Sequence, residues 1–138
     1  MGVFLSGRSL AEDAPHPKML EIDGLWDSNK KSEAEKALDK WMSEEKKSPY
    51  PWVEAGKLRF EEKKYKRALS SLQTALDKSP QCAEAYYWRG RSFEAMNKPM
   101  DAANEYRAAV LAQEKYVEAQ EALTRVTTLL DSSNSTSN

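Results

Sequence analysis

Apolar and small residues recur along this chain with a helical step inside short segments and with a longer step between them. Trp52, Ala55, Gly56 and Phe60 follow helical spacing, as do Ala68, Leu69, Leu72, Ala75 and Leu76, which predicts two amphipathic helices in succession. The set then returns. Gly56 and Gly90 stand 34 residues apart, and Ala68 with Ala102 and Ala75 with Ala109 keep that interval. Bulky positions follow it too: Trp52 with Tyr86, Leu72 with Tyr106, Leu76 with Val110. A period shared by small and large positions marks a repeat array in which each unit is one helix pair. Small residues at Gly56, Ala68 and Ala75 let the paired helices approach closely, while Trp52 and Leu72 fill the space beside them. Pro80 cannot continue the second helix and so separates the units.

Weaker segments flank this pair of units. Ala34 and Leu38 sit one period before Ala68 and Leu72, and Asn29 sits two periods before Asn97. Either Asn can end a first helix in the left-handed conformation. Ile22 takes the place of the small residue and Trp41 that of an alanine, so looser packing or a different register is expected there. Residues 117–130 read as one helix with no second behind it, suited to covering the apolar face of the last pair. The expected organisation is a flexible N-terminus at 1–14, helix pairs at 15–48, 49–82 and 83–116, a capping helix at 117–130, and a disordered polar tail at 131–138.

These residues resemble the tetratricopeptide repeat family, whose 34-residue helix–turn–helix pattern carries aromatic, Gly, Ala and Pro at fixed offsets. The resemblance rests on Trp52, Gly56, Tyr65, Ala68, Leu72, Ala75 and Pro80 in residues 49–82, and on Tyr86, Gly90, Phe93, Ala102, Tyr106 and Ala109 in residues 83–116. Glu114 stands where the family has Pro, and Pro99 stands at the turn position held by Tyr65. The first turn of a new helix tolerates a proline. The resemblance implies an all-α fold: a right-handed α-solenoid of three helix–turn–helix repeats plus a capping helix, with an open concave face.

Composition narrows the function. The 138 residues are 40% hydrophobic and 31% charged with a net charge of −1, which fits one folded domain and gives no global attraction to nucleic acid. Cys82 is the single cysteine and His16 the single histidine, so an internal disulfide and a His-built metal site are both ruled out. Cys82 precedes a predicted helix start, yet no neighbouring His or second Cys would activate it; inert packing is expected. His16, between two prolines, reads as solvated loop. Adjacent acids such as Glu61-Glu62 abut lysines and read as a solvated face, and the glycines are isolated, so no phosphate loop exists. No enzyme activity, cofactor or metal is expected. No apolar run reaches transmembrane length, and a cytoplasmic location is the expectation. Met1-Gly2 followed by Ser6 matches the myristoylation pattern at Gly2 without a polybasic run beside it; a frayed terminus is the preferred reading and a membrane-peripheral adaptor the alternative.

The family resemblance also implies a site. In such arrays the first helix of each pair lines the groove, and ligand contacts cluster at the second, fifth, sixth and ninth repeat positions. The ninth positions here are Asp23, Lys57, Arg91 and Arg125, a track of three cations suited to acidic groups on a partner. Tyr50, Val53, Tyr87 and Trp88 stand beside them, and Arg with aromatic residues makes a binding hot spot. The competing reading has Tyr87 or Trp88 packing on a neighbouring helix and Lys57 pairing with Glu54 or Glu61. The implied function is a non-enzymatic adaptor capturing a protein or peptide segment in the groove. A structural or self-assembling scaffold, docking through the convex face or a repeat edge around Trp41, is the alternative, and a monomer or weak self-association is expected. The clamp with which family co-chaperones hold chaperone C-terminal tails would fall on Met19, Asp23, Glu54, Glu84 and Trp88. Three of these are acids, so a chaperone tail is not the expected ligand.

Overall fold

The computed structural model describes residues 15–136, and among them finds seven α-helices and no strand. They fall into two compact units, one ending at Glu44 and the other beginning at Glu45.

The first unit is a hairpin of α1 (Pro17–Asp27) and α2 (Lys31–Glu44). Its buried side chains are Met19, Ile22 and Trp26 on α1 and Ala34, Leu38 and Trp41 on α2. His16 is not a solvated loop residue. Its Nδ1 accepts the Lys18 backbone N–H at 3.2 Å, capping α1, and its ring lies 4.6 Å from that of Trp41. Pro17 behind it occupies a first-turn position whose missing N–H costs nothing. Trp41 is 1% exposed, so the bulky side chain at a normally small position is accommodated rather than displaced.

The second unit contains α3 (Tyr50–Glu61), α4 (Tyr65–Lys78), α5 (Ala83–Ala95), α6 (Pro99–Ala112) and α7 (Val117–Thr136). Each packs on the next, and α3 also lies against α5. The glycines make the close approaches possible. A Cβ on Gly56 would sit 2.6 Å from Leu72, and one on Gly90 would sit 2.5 Å from the Tyr106 ring. Tyr106 is fully buried among Ala102, Ala103, Ala122 and Val126.

One turn recurs through the chain. Asn29, Lys63 and Asn97 have φ of 62°, 63° and 60°. Beside each, the next residue's N–H reaches back to a carbonyl of the preceding helix: Lys30 to Leu25, Lys64 to Arg59, Lys98 to Phe93. The left-handed residue closes the first helix and frees the chain to enter the second. Asparagine tolerates that conformation, whereas Lys63 carries a steric cost there.

The polar C-terminal segment behaves differently from its composition. Helix α7 continues through Asp131 to Thr136 instead of ending at 130; residues 137–138 and 1–14, with Gly2, lie outside the described residues. A helix nucleated by the packed residues Ala119, Ala122 and Val126 propagates at a small cost per added residue, which poor helix formers such as Ser and Asn raise by only tenths of a kcal/mol.

Candidate functional site

Within the second unit, α3, α5 and α7 repeat the same positions. One row runs Tyr50, Glu84, Glu118, and a second runs Lys57, Arg91, Arg125, each with a 34-residue step. On α5 the residues Glu84, Tyr87, Trp88 and Arg91 fall at helical i, i+3, i+4 and i+7, on one face.

Aromatic rings join the helices across this face. Phe60 of α3 lies 5.5 Å from Trp88, edge to face, and 5.5 Å from Tyr65. Trp88 meets Tyr87 at 5.6 Å, and Tyr87 reaches Tyr106 at 5.8 Å and Tyr116 at 5.2 Å. Tyr87 and Trp88 therefore do both things weighed from the sequence: they pack on neighbours and, half-buried, keep part of their surface open.

The three cations are not equivalent. The Lys57 ammonium pairs with Glu54 of its own helix at 3.2 Å and lies 5.8 Å from the Trp88 ring. Arg125 forms a two-pronged pair with the Glu94 carboxylate, at 2.5 and 2.8 Å. Glu94 also accepts the Tyr106 hydroxyl at 2.5 Å, so one carboxylate ties α5, α6 and α7 together. The Arg125 guanidinium, first through its hydrogen bonds, holds the Glu94 carboxyl below the usual carboxylate range. Arg91 alone of the three makes no ion pair among the described residues. Its guanidinium stacks 4.8 Å from the Trp88 ring and 4.9 Å from the Phe60 ring, so its charge is held in place but not cancelled.

This arrangement changes the expected track. Val53 is fully buried and offers no contact surface. Tyr50, at 38% exposure, is open at the start of α3. Asp23 belongs to the first unit and Lys57 and Arg125 are engaged within the protein, which leaves Arg91 as the accessible uncancelled cation of the row. Sequence reasoning passed over Phe60 and Glu94 as partners, although a signal existed. Each is the twelfth residue of its repeat and precedes the arginine it meets, Arg91 or Arg125, by 31 positions. Glutamate there locks the next ninth-position cation; phenylalanine supports it and leaves its charge available.

The other row is acidic. Glu84 is half-buried and faces Lys57 and Glu118; burial, with the Glu118 charge added, holds its carboxyl above the usual range against the pull of Lys57. Cys82, at the N-cap of α5, has its thiol pushed up to about 11 by burial, which outweighs the backbone hydrogen bonds from Ala85 and Glu84. Trp41, named for the repeat edge of the scaffold alternative, is itself buried and offers no side-chain surface there. Among the described residues no group of three or more His, Cys, Asp and Glu side chains could hold a metal ion, and no helix is long and apolar enough to cross a membrane.

Residues 53–110 match the tetratricopeptide repeat family. No curated protein matches the chain. Among solved structures, the first TPR domain of human RPAP3 is 21% identical with a TM-score of 0.73, covering 86% of this chain and 93% of that one. The first TPR of Spaghetti (RPAP3), bound to the HSP90 peptide SRMEEVD, is also 21% identical, with a TM-score of 0.70 over 83% of this chain and 90% of that one. The second TPR domain of human RPAP3, in complex with the HSP70 peptide SGPTIEEVD, is 14% identical, with a TM-score of 0.66 over 80% and 92%. Two of these neighbours hold chaperone peptides, so the comparisons give no support to excluding a chaperone tail. The electrostatic argument for exclusion also weakens, because Glu54, counted as a repelling acid, is buried against Lys57. Residues 53–110 thus match tetratricopeptide repeats, and the small-residue contacts and recurring left-handed turn, all on one 34-residue period, go with a fold shared with solved TPR domains.

Proposed function

We propose that this protein is a non-enzymatic adaptor that captures a peptide segment on the face formed by α3, α5 and α7. The observation that carries the reading is Arg91, stacked on Trp88 and Phe60 and left without an ion pair among the described residues. A guanidinium immobilised by aromatic rings has already lost much of its rotamer freedom, so a partner carboxylate binds it at reduced entropic cost. Tyr87 and Trp88 supply the apolar contact beside it. Neighbours of the same fold that hold peptides support this class of function, and chaperone tails belong among the ligands to be tried.

The test is selection of binders from a displayed library of random 12-residue peptides. Selected peptides should bind the native protein and lose at least fivefold in affinity on Arg91→Glu, with the thermal melt of the variant unchanged. Peptides that bind Arg91→Glu equally well would refute the reading. Lys57→Glu is a poor companion variant, because it would set a second carboxylate against buried Glu54.

A further inference from the structure

The face formed by α3, α5 and α7 is charged in opposite senses along its helices. Glu84 and Glu118 hold the same position on adjacent first helices, and neither forms an ion pair among the described residues. Around Glu84 stand Lys57 from α3, Glu118 from α7, and the hydroxyls of Tyr50 and Tyr116. Lys57 is the one cation of this group and already pairs with Glu54, so negative charge is in excess. At the other end Arg125 is neutralised by Glu94, and Arg91 remains uncancelled, although Glu94 lies within its electrostatic reach. Tyr87 and Trp88 separate the two ends on α5.

Resting on the groove reading above, we propose that the captured segment is bipolar: a basic residue sits over Glu84 and Glu118, an acidic residue over Arg91, and apolar residues between them cover Tyr87 and Trp88. The spacing follows from helix geometry. Glu84 and Arg91 are seven residues apart on α5, about 10 Å along its axis at 1.5 Å per residue. An extended peptide advances about 3.3 Å per residue, so the two ligand charges stand about three residues apart. Uniformly acidic and uniformly basic segments each meet one end of like charge, a penalty that selects against them.

The experiment uses fluorescein-labelled ten-residue peptides sharing one apolar centre, with flanking residues made Lys and Asp three positions apart, both Asp, or both Lys. Polarisation titrations of the native protein should show the bipolar peptide at least fivefold tighter than either uniform one. Glu84→Lys with Glu118→Lys should move the preference to the double-Asp peptide, and Glu118→Lys alone, at an exposed site, should narrow it in the same direction. A uniform peptide that binds the native protein as tightly as the bipolar one overturns the proposal, as does an unchanged ranking in both variants or no binding of any of the three. Library-selected peptides that still depend on Arg91 would then leave the groove reading standing while the bipolar ligand falls.

Discussion

Gly90 and Tyr106 set the tolerance of the second unit at the level of single atoms. A Cβ 2.5 Å from a fully buried ring cannot be relieved by moving the end of a flexible chain. Gly90→Ala should therefore lose stability, because overpacking of about 1–3 kcal/mol outweighs a helix-propensity gain of about 1 kcal/mol. Gly24 is the control. Nothing lies within 4 Å of its added Cβ, so Gly24→Ala should gain about 0.5–1 kcal/mol. Urea midpoints of the two variants should move in opposite directions. At the same scale lies the reason why cation chemistry was harder to read than packing. A small residue announces a close approach by itself, whereas the availability of Lys57 and Arg125 depends on which carboxylate reaches them. For Lys57 the partner is three residues away and was foreseeable; for Arg125 it is 31 residues earlier, at a position that no apolar periodicity marks.

Between helices, the Glu94 carboxylate decides how α7 is held. Its folded pKa is depressed by Arg125 and by the Tyr106 hydroxyl, below the value of about 4.3 of an unfolded glutamate. The stabilisation is thus complete above about pH 4.3 and is lost as pH falls through the lower folded value. Glu94→Gln should cost no more than about 1 kcal/mol at pH 7, since the Arg125 side chain is 54% exposed, and should flatten the fall of melting temperature between pH 5 and about pH 3. An acid profile as steep as the native one would show that the bridge contributes nothing. Phe60 is the opposite case at the equivalent position. Phe60→Glu should give Arg91 the partner that Arg125 already has and weaken capture of a selected peptide roughly fivefold, about 1 kcal/mol, without altering Arg91 itself. Helix existence was legible at this scale because small and bulky residues share one period. The run of α7 past 130 was not, because the segment 131–136 has poor intrinsic propensity and is carried by a helix already nucleated upstream.

For the molecule, the repeat makes the fold and the departures from the repeat make the site. Gly56 with Leu72 and Gly90 with Tyr106 are the same contact one period apart, and the left-handed turns at Asn29, Lys63 and Asn97 are the same closure three times over. The proposed binding face draws on the places where equivalent positions differ: Phe60 against Glu94, and Tyr50 against Glu84 and Glu118. These substitutions leave backbone geometry alone while redistributing charge over the face that carries Trp88. The account turns on whether a bound segment actually lies there. The most direct measurement follows the indole N–H and backbone amide resonances of isotopically labelled protein as a library-selected peptide is added. The Trp88 indole and the amides of Tyr87 to Arg91 should shift in proportion to saturation, with the Trp26 and Trp41 indoles unmoved. Shifts confined to the first unit, or to the outward faces of α4 and α6, with Trp88 silent at saturation, would contradict it.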